Sequence, residues 1–422
     1  MTKRRYVAAA LAGAIALGLA TSADAVSLQA DQWQLDVNGN VNGFLDYNSC
    51  DHSATSVEGG LACNTGVDGH NVTSIESGLL PSAIVFTVKT KQEGIDIAGT
   101  IGFYPGLNTS ITGKRGIGSG AINVRQNFLT FGTPQLGTVK VGRDLGLFQS
   151  DAILSDMTLL GVGSGAAFLG GNTTLGRIGV GYVYADWIPQ ISYKSPKFGG
   201  FQFAGGIFQP FEQYPFSGND NSAKMSSISQ PGYQLQGTYS WKGAVSGKVW
   251  TDFMWQRNEA NGTDSSTAGG TIPNGETVAA DAFDVGGKAS ASVGPGTLGG
   301  VASYYKGYGI GTTAIGFDGV AYVNGQLEKR DSDGWYVQAT YKIGKPKFGL
   351  SYGESSLDLA SNETAASNPN LVKKNDSVVA GLYYGLTKSL HTVLEYSHTT
   401  AKNQAGDSVK DNAVAAGAIL FF

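Results

Sequence analysis

A chain of 422 residues with 29 Lys and Arg against 33 Asp and Glu carries a formal charge of only −4. No dense basic stretch follows its first few residues, which excludes nucleic acid as a natural partner. Glycine accounts for 62 residues, aromatic side chains for 10% and charged ones for 15%, and the mean hydropathy is close to zero. That balance excludes a helical membrane protein and suits a wall that is apolar on one face and polar on the other.

The chain starts with a basic segment, Lys3, Arg4 and Arg5, then an apolar stretch from Val7 to Ala20 and an A-x-A site at Ala23-Asp24-Ala25. This order predicts an export signal over residues 1–25, cleaved to leave a mature barrel domain over 26–422. A membrane anchor would need about 20 apolar residues and a stop-transfer flank, and neither is present. No later run is long and apolar enough for a spanning helix. A membrane crossing by the mature chain must therefore use strands closed into a barrel, the other structure that satisfies every backbone N–H and C=O in hydrocarbon.

The first mature strand alternates: Leu35, Val37, Gly39, Val41, Gly43 and Leu45 on one face, Gln34, Asp36, Asn38, Asn40 and Asn42 on the other. The same period of two recurs in Tyr233 to Trp241 and in Trp335 to Ile343, and a lipid-facing apolar side explains it. Cys50 and Cys63 lie close together in a polar segment of an exported chain, so a local disulfide is expected, worth roughly 3 kcal/mol by loop closure.

Short turn signals recur at Lys91 to Gly94, Thr133 to Gly137, Ser195 to Gly200, Trp241 to Gly247, Val293 to Gly299, Gly344 to Gly349 and Leu386 to Leu390. Between them lie longer polar stretches near residues 49–78, 105–120, 144–178, 210–230, 258–279, 310–332, 355–375 and 400–411. Alternation of short turns with long loops predicts an all-β fold, a transmembrane antiparallel β-barrel of about 16 strands with periplasmic turns and extracellular loops. At that size side chains cannot fill the interior, so a water-filled channel follows from geometry. The last strand, Asn412 to Phe422, places Val414, Ala416, Ala418, Leu420 and Phe422 on one face and must pair with the strand starting near Trp33 to remove both sheet edges.

Two stretches carry a family resemblance. Arg177 followed by Tyr193-Lys194-Ser195-Pro196-Lys197-Phe198-Gly199-Gly200-Phe201-Gln202-Phe203, and Val139-Lys140-Val141-Gly142-Arg143-Asp144, resemble motifs of general porins from β-proteobacteria and related Gram-negative bacteria. The resemblance implies that 144–178 is a third loop folded inward to narrow the pore, and that the terminal Phe422 serves as an outer-membrane assembly signal. It further implies a homotrimer set in outer-membrane lipid and lipopolysaccharide, exported to the cell outer membrane. The penultimate Leu420-Phe421 departs from the basic residue often found there.

Within 144–178, Ile153, Leu154, Met157, Leu159 and Leu160 suit a short helical turn packed on the wall, and Asp144, Asp151 and Asp156 supply carboxylates. Strand parity puts Lys89, Arg125 and Lys140 on the lumen side, with Arg143 at the loop edge. Carboxylates facing these cations would set up a transverse field across the constriction. Parity around Arg125 is ambiguous, because Leu129 and Phe131 share its face. Trp33, Trp187, Trp241, Trp335 and Tyr384 suit interfacial girdles.

Enzyme signals are poor. His52, His70, His391 and His398 lack metal-ligand spacing, so no metal and no cofactor are expected. Gly294 to Gly299 matches G-x-G-x-x-G in letters but sits between two strand patterns and opens no helix. The expectation is a general diffusion porin passing small hydrophilic solutes and ions. A substrate-specific channel of the same fold is the alternative, for which Tyr304, Tyr305 and Tyr308 offer a weak hint; a surface adhesin or barrel enzyme is the reading from another class.

Overall fold

The computed structural model describes residues 25–51, 55–63, 71–107, 122–164, 172–216, 220–261, 266–267 and 270–422. The leader expected over 1–25 lies, apart from Ala25, outside the described residues. Alternation builds the wall, and burial runs opposite to that of a soluble sheet. In the strand Trp33–Cys50, Leu45 and Tyr47 are 50% and 43% exposed, whereas Asp46 and Asn48 beside them are fully buried. Phe203, Leu235, Phe253, Val285, Leu350, Leu394 and Leu420 repeat that outward apolar pattern round the molecule. Such a surface is stable only where lipid covers it.

Strand β1 (Val26–Ala30) pairs as a hairpin with β2 (Trp33–Cys50). The next strands are β3 (Val72–Glu76), β4 (Ala83–Gln92), β5 (Ile95–Pro105), β6 (Ile122–Thr133) and β7 (Gly137–Leu145). A third loop, 146–186, then carries a single helical turn α1 (Ser150–Ile153) and a 3-10 turn (Met157–Leu160). The wall resumes with β8 (Trp187–Lys194), β9 (Phe201–Phe208), β10 (Gly232–Trp241) and β11 (Val245–Glu259). Two-residue strands β12 (Ser266–Thr267) and β13 (Gly270–Thr271) pair only with each other. Then come β14 (Thr277–Val293), β15 (Gly296–Tyr308), and a loop hairpin of β16 (Val320–Val323) with β17 (Gln326–Lys329). Strands β18 (Asp331–Lys342), β19 (Pro346–Asp358), β20 (Val372–Gly385), β21 (Leu390–Asn403) and β22 (Ser408–Phe421) complete the wall.

Sixteen of these strands close an antiparallel barrel. Closure occurs on β2, which pairs with β4 along one edge and with β22 along the other. Phe422 donates its N–H to the Gly39 carbonyl at 3.1 Å and accepts from the Gly39 N–H at 2.8 Å, so the ladder runs to the final residue. Beyond that point β1 takes over the same edge of β2, from Val26 opposite Val37 to Ala30 opposite Trp33. The hairpin of β1 had no counterpart among the sequence expectations.

All seven short turns join neighbouring strands where the sequence signals placed them. At the tightest, Glu93 and Gly94 both have positive φ, 50° and 83°, the backbone that matches the twist of a two-residue hairpin. The expected long loop at 400–411 is instead a tight turn: β21 and β22 stay paired up to Lys402 opposite Ser408, and Asn403 donates its N–H to the Asp407 carbonyl at 2.9 Å. These polar residues continue the strands past the apolar belt. Cys50 and Cys63 are joined by a disulfide in the first loop, as expected.

The fourth, sixth and seventh loops tie together at the mouth. Arg330 donates to both carboxylate oxygens of Glu363, at 2.8 and 2.7 Å, and to Ser222 Oγ and the Asp318 carbonyl at 2.6 and 2.9 Å. Both members of that ion pair are fully buried.

Candidate functional site

The third loop folds into the barrel, and its backbone explains how. An irregular segment inside a barrel must find acceptors for its N–H groups, and the lumen face of the wall supplies them. Gln234 on β10 accepts from the N–H groups of Leu147 and Phe148 at 2.7 and 3.0 Å. Asp252 on β11 and Asp284 on β14 each accept from the Gln149 N–H at 3.2 Å. Gln338 on β18 accepts from Met157 N at 2.7 Å, and Tyr336 donates to the Ala152 carbonyl at 2.7 Å. Glu395 on β21 accepts from Val162 N and Gly163 N at 2.7 and 2.8 Å, and from the Tyr383 hydroxyl at 2.6 Å.

Arg177, from the resemblance motif, is fully buried and donates to the Ser377 carbonyl on β20 at 2.9 Å. Burial pulls its pKa below the ordinary value, with the Asp156 charge opposing. Leu159, Leu175, Ile178 and Val180 pack with Tyr336 and Trp250. The loop is thus fixed to the β10–β21 side. The open lumen lies against β2 and β4–β8.

On that open side, Lys89 faces inward and pairs with Asp36 at 2.5 Å. Lys140 also faces inward; it pairs with Asp144 and lies over the Phe128 ring at 4.9 Å. Arg125 resolves the parity problem by being a bulge residue. The β5–β6 register runs from Gly102 opposite Gln126 directly to Phe103 opposite Val124, which leaves Arg125 without a cross-strand partner. An extra residue re-aims a side chain without flipping the rest of the strand. Leu129 and Phe131 therefore stay lipid-facing while Arg125 enters the lumen. Its guanidinium donates to Asn172 Oδ1 at 2.8 Å and Tyr184 Oη at 3.4 Å, and it lies 5.6 Å from the Tyr104 ring centre.

Of the three carboxylates expected to face these cations, only Asp144 does, through its pair with Lys140. Asp151 pairs with Lys248 on β11 at 2.5 Å, on the far wall. Asp156 is buried inside the loop, where it accepts from Thr158 N at 2.9 Å and from the Tyr182 hydroxyl at 2.7 Å. Asp144 belongs to the end of β7 rather than to the loop. Arg143 is exposed and alternates with the inward Lys140 and Asp144, so it faces outward. Trp187 is a further correction: it packs at a tilt against the buried Tyr104, ring centres 5.5 Å apart, and lines the lumen-side cavity instead of joining a girdle.

A second departure shapes the open side. Between β3 and β4 the chain bows inward over residues 77–82, and the lost ladder bonds are replaced by β2 side chains. Asn42 accepts from Gly78 N at 3.0 Å and donates to the Leu80 carbonyl at 2.7 Å, while Asn40 donates to the Pro81 carbonyl at 3.1 Å. The bow pushes Leu79 and Leu80 into the lumen, where Leu79 N meets the Gly161 carbonyl at 2.8 Å.

Toward the short-turn end the lumen carries a band of lysines that was not singled out in the sequence: Lys194, Lys248, Lys288, Lys342 and Lys347. Lys248 sits directly across from Lys288, and Lys342 across from Lys347. Each shares the inward parity of its strand, a signal that strand alternation makes readable. Lys194, Lys288, Lys342 and Lys347 have no carboxylate oxygen within 4.0 Å among the described residues.

A family model described as Gram-negative porin matches residues 8–404. No curated protein matches the chain. Solved structures share the fold: the outer membrane channel DcaP of Acinetobacter baumannii is 16% identical with a TM-score of 0.67, covering 94% of this chain and 100% of that one. The anion-selective porin from Comamonas acidovorans is 15% identical with a TM-score of 0.55, over 92% and 100% of the two chains. The trimer form of OmpT from Vibrio cholerae is 16% identical with a TM-score of 0.52, over 93% and 100%.

Proposed function

The chain belongs to the Gram-negative porin family and is an outer-membrane channel for passive diffusion; on that premise we propose that it passes small hydrophilic solutes, anions ahead of cations, without chemical turnover. The observation that carries the anion preference is the lysine band. Each uncompensated lysine raises the local anion concentration in a water-filled passage, whatever the sign of the whole protein. Of the loop carboxylates, Asp151 pairs with one band lysine, Lys248, and Asp156 is held inside the loop, so Lys194, Lys288, Lys342 and Lys347 carry the preference. Lys89, Arg125 and Lys140 line the narrow part beside the third loop, and in this reading they act as its selectivity residues.

Planar-bilayer recording under a salt gradient tests this. The expected result is stable openings whose reversal potential has the sign of an anion-preferring pore; a folded, silent barrel or a cation-preferring potential contradicts it. The same reading holds that residues 1–25 are an export leader removed before Val26, and that the barrel works as a homotrimer in outer-membrane lipid and lipopolysaccharide. Phe422, whose backbone completes the closing ladder, serves in it as the assembly signal. Deleting Phe422 is expected to reduce insertion before it changes conductance, measured as the yield of heat-modifiable barrel in the membrane fraction.

A further inference from the structure

Among the cations beside the third loop, Lys89, Lys140 and Lys248 each hold a carboxylate, but Arg125 does not. Its described contacts are an amide oxygen, a phenol and an aromatic ring face, all neutral. Beside it lies a cavity of about 160 Å³ whose exposed wall is mainly apolar, with Leu79, Leu80, Leu154, Tyr104 and Trp187 in it and the Asp36–Lys89 ion pair at its side. A channel built only to pass ions has no use for such a surface: Leu79 and Leu80 reach the lumen only because the wall bows inward, and Arg125 only because β6 bulges.

We propose that these two irregularities together form a binding site for a carboxylate on an apolar body, such as an aryl or branched-alkyl monocarboxylate. The guanidinium fork takes both carboxylate oxygens. The apolar body lies against Leu80, Leu154 and the Tyr104–Trp187 pair, and a cavity of about 150 Å³ accepts a single benzene ring. The site rests on the channel reading and gives it a solute class.

The probe is benzoate, compared with acetate and with neutral benzyl alcohol, added to the intact protein conducting chloride in a planar bilayer. Benzoate is expected to reduce the current with a half-block about tenfold lower than that of acetate, and benzyl alcohol to leave it unchanged. Arg125→Gln should raise the benzoate half-block about tenfold. Leu80→Gln should bring benzoate close to acetate without changing acetate. Equal half-block for benzoate and acetate in the unmodified channel, or an unchanged benzoate block in conducting Arg125→Gln, overturns the site and leaves the channel standing. A folded protein that never opens overturns both.

Discussion

The two halves of the lumen use the same strand pattern for opposite ends. Along the middle of β10–β21, inward polar side chains are consumed as acceptors and donors for the third loop, which fills that half above the lysine band. Along β2 and β4–β8, the same kind of side chain faces open space, and two backbone irregularities bring Arg125, Leu79 and Leu80 into it. Polar residues inside a barrel are thus not all pore residues. Gln234, Asp252, Gln338 and Glu395 hold a loop, whereas Lys89 and Arg125 line the open space.

The sharpest way to break the filled half is at its outer knot. Glu363→Ala leaves the Arg330 charge buried and unpaired, a change that costs about 3–5 kcal/mol. Hydrogen exchange should then accelerate across 209–231 and 309–330 while the strands keep their protection; unchanged loop exchange would show the knot to be dispensable. Next comes Glu395→Ala, which strands the N–H groups of Val162 and Gly163 and the Tyr383 hydroxyl, at about 1–3 kcal/mol for each buried group left without a partner. A loosened third loop should appear as noisier single-channel current, and variant openings as quiet as those of the wild type would count against the anchoring role.

The knot also titrates. Burial, helped by the nearby Asp220 charge and opposed by Arg330, pushes the Asp318 carboxyl from 3.8 up to about 7. The folded loops therefore bind a proton that the unfolded chain releases. This contribution is fully present below about pH 4 and is lost as pH rises through about 7. Exchange in 309–330 should speed up from pH 5 to pH 8 after correction for intrinsic rates, and Asp318→Asn should remove that dependence.

The smallest effects belong to the lysine band near the short turns, which runs across both halves. Replacing Lys194, Lys288 and Lys347 by Gln should shift the reversal potential toward cations, by roughly 0.7 kcal/mol of anion stabilisation per lysine at about 6 Å in water. No shift would place selectivity elsewhere.

The period-two alternation made the barrel legible, and the lumen faces with it, because one face of every wall strand must be apolar. Lys194, Lys288 and Lys347 are readable by the same parity, since each falls on the inward side of its strand. Arg125 was not readable: a bulge changes parity with no marker residue in β6, and only pairing with β5 reveals it. The roles of Asp151 and Asp156 were hidden for a different reason, since a loop carries no period to say which way its side chains point. The inward bow at 77–82 left Gly78 and Pro81 as its signals, but those residues read equally as part of an ordinary first loop.

In the proposed channel, water and solute pass the third loop along β2 and β4–β8, while the loop fills the middle of β10–β21. Single cysteines at Thr87, in the open half, and at Ser377, behind the loop, test it directly, because the native cysteines are bonded to each other. A charged thiol reagent added during bilayer recording should lower the current through Thr87→Cys channels and leave Ser377→Cys channels unchanged. Block at Ser377→Cys with none at Thr87→Cys would contradict the account.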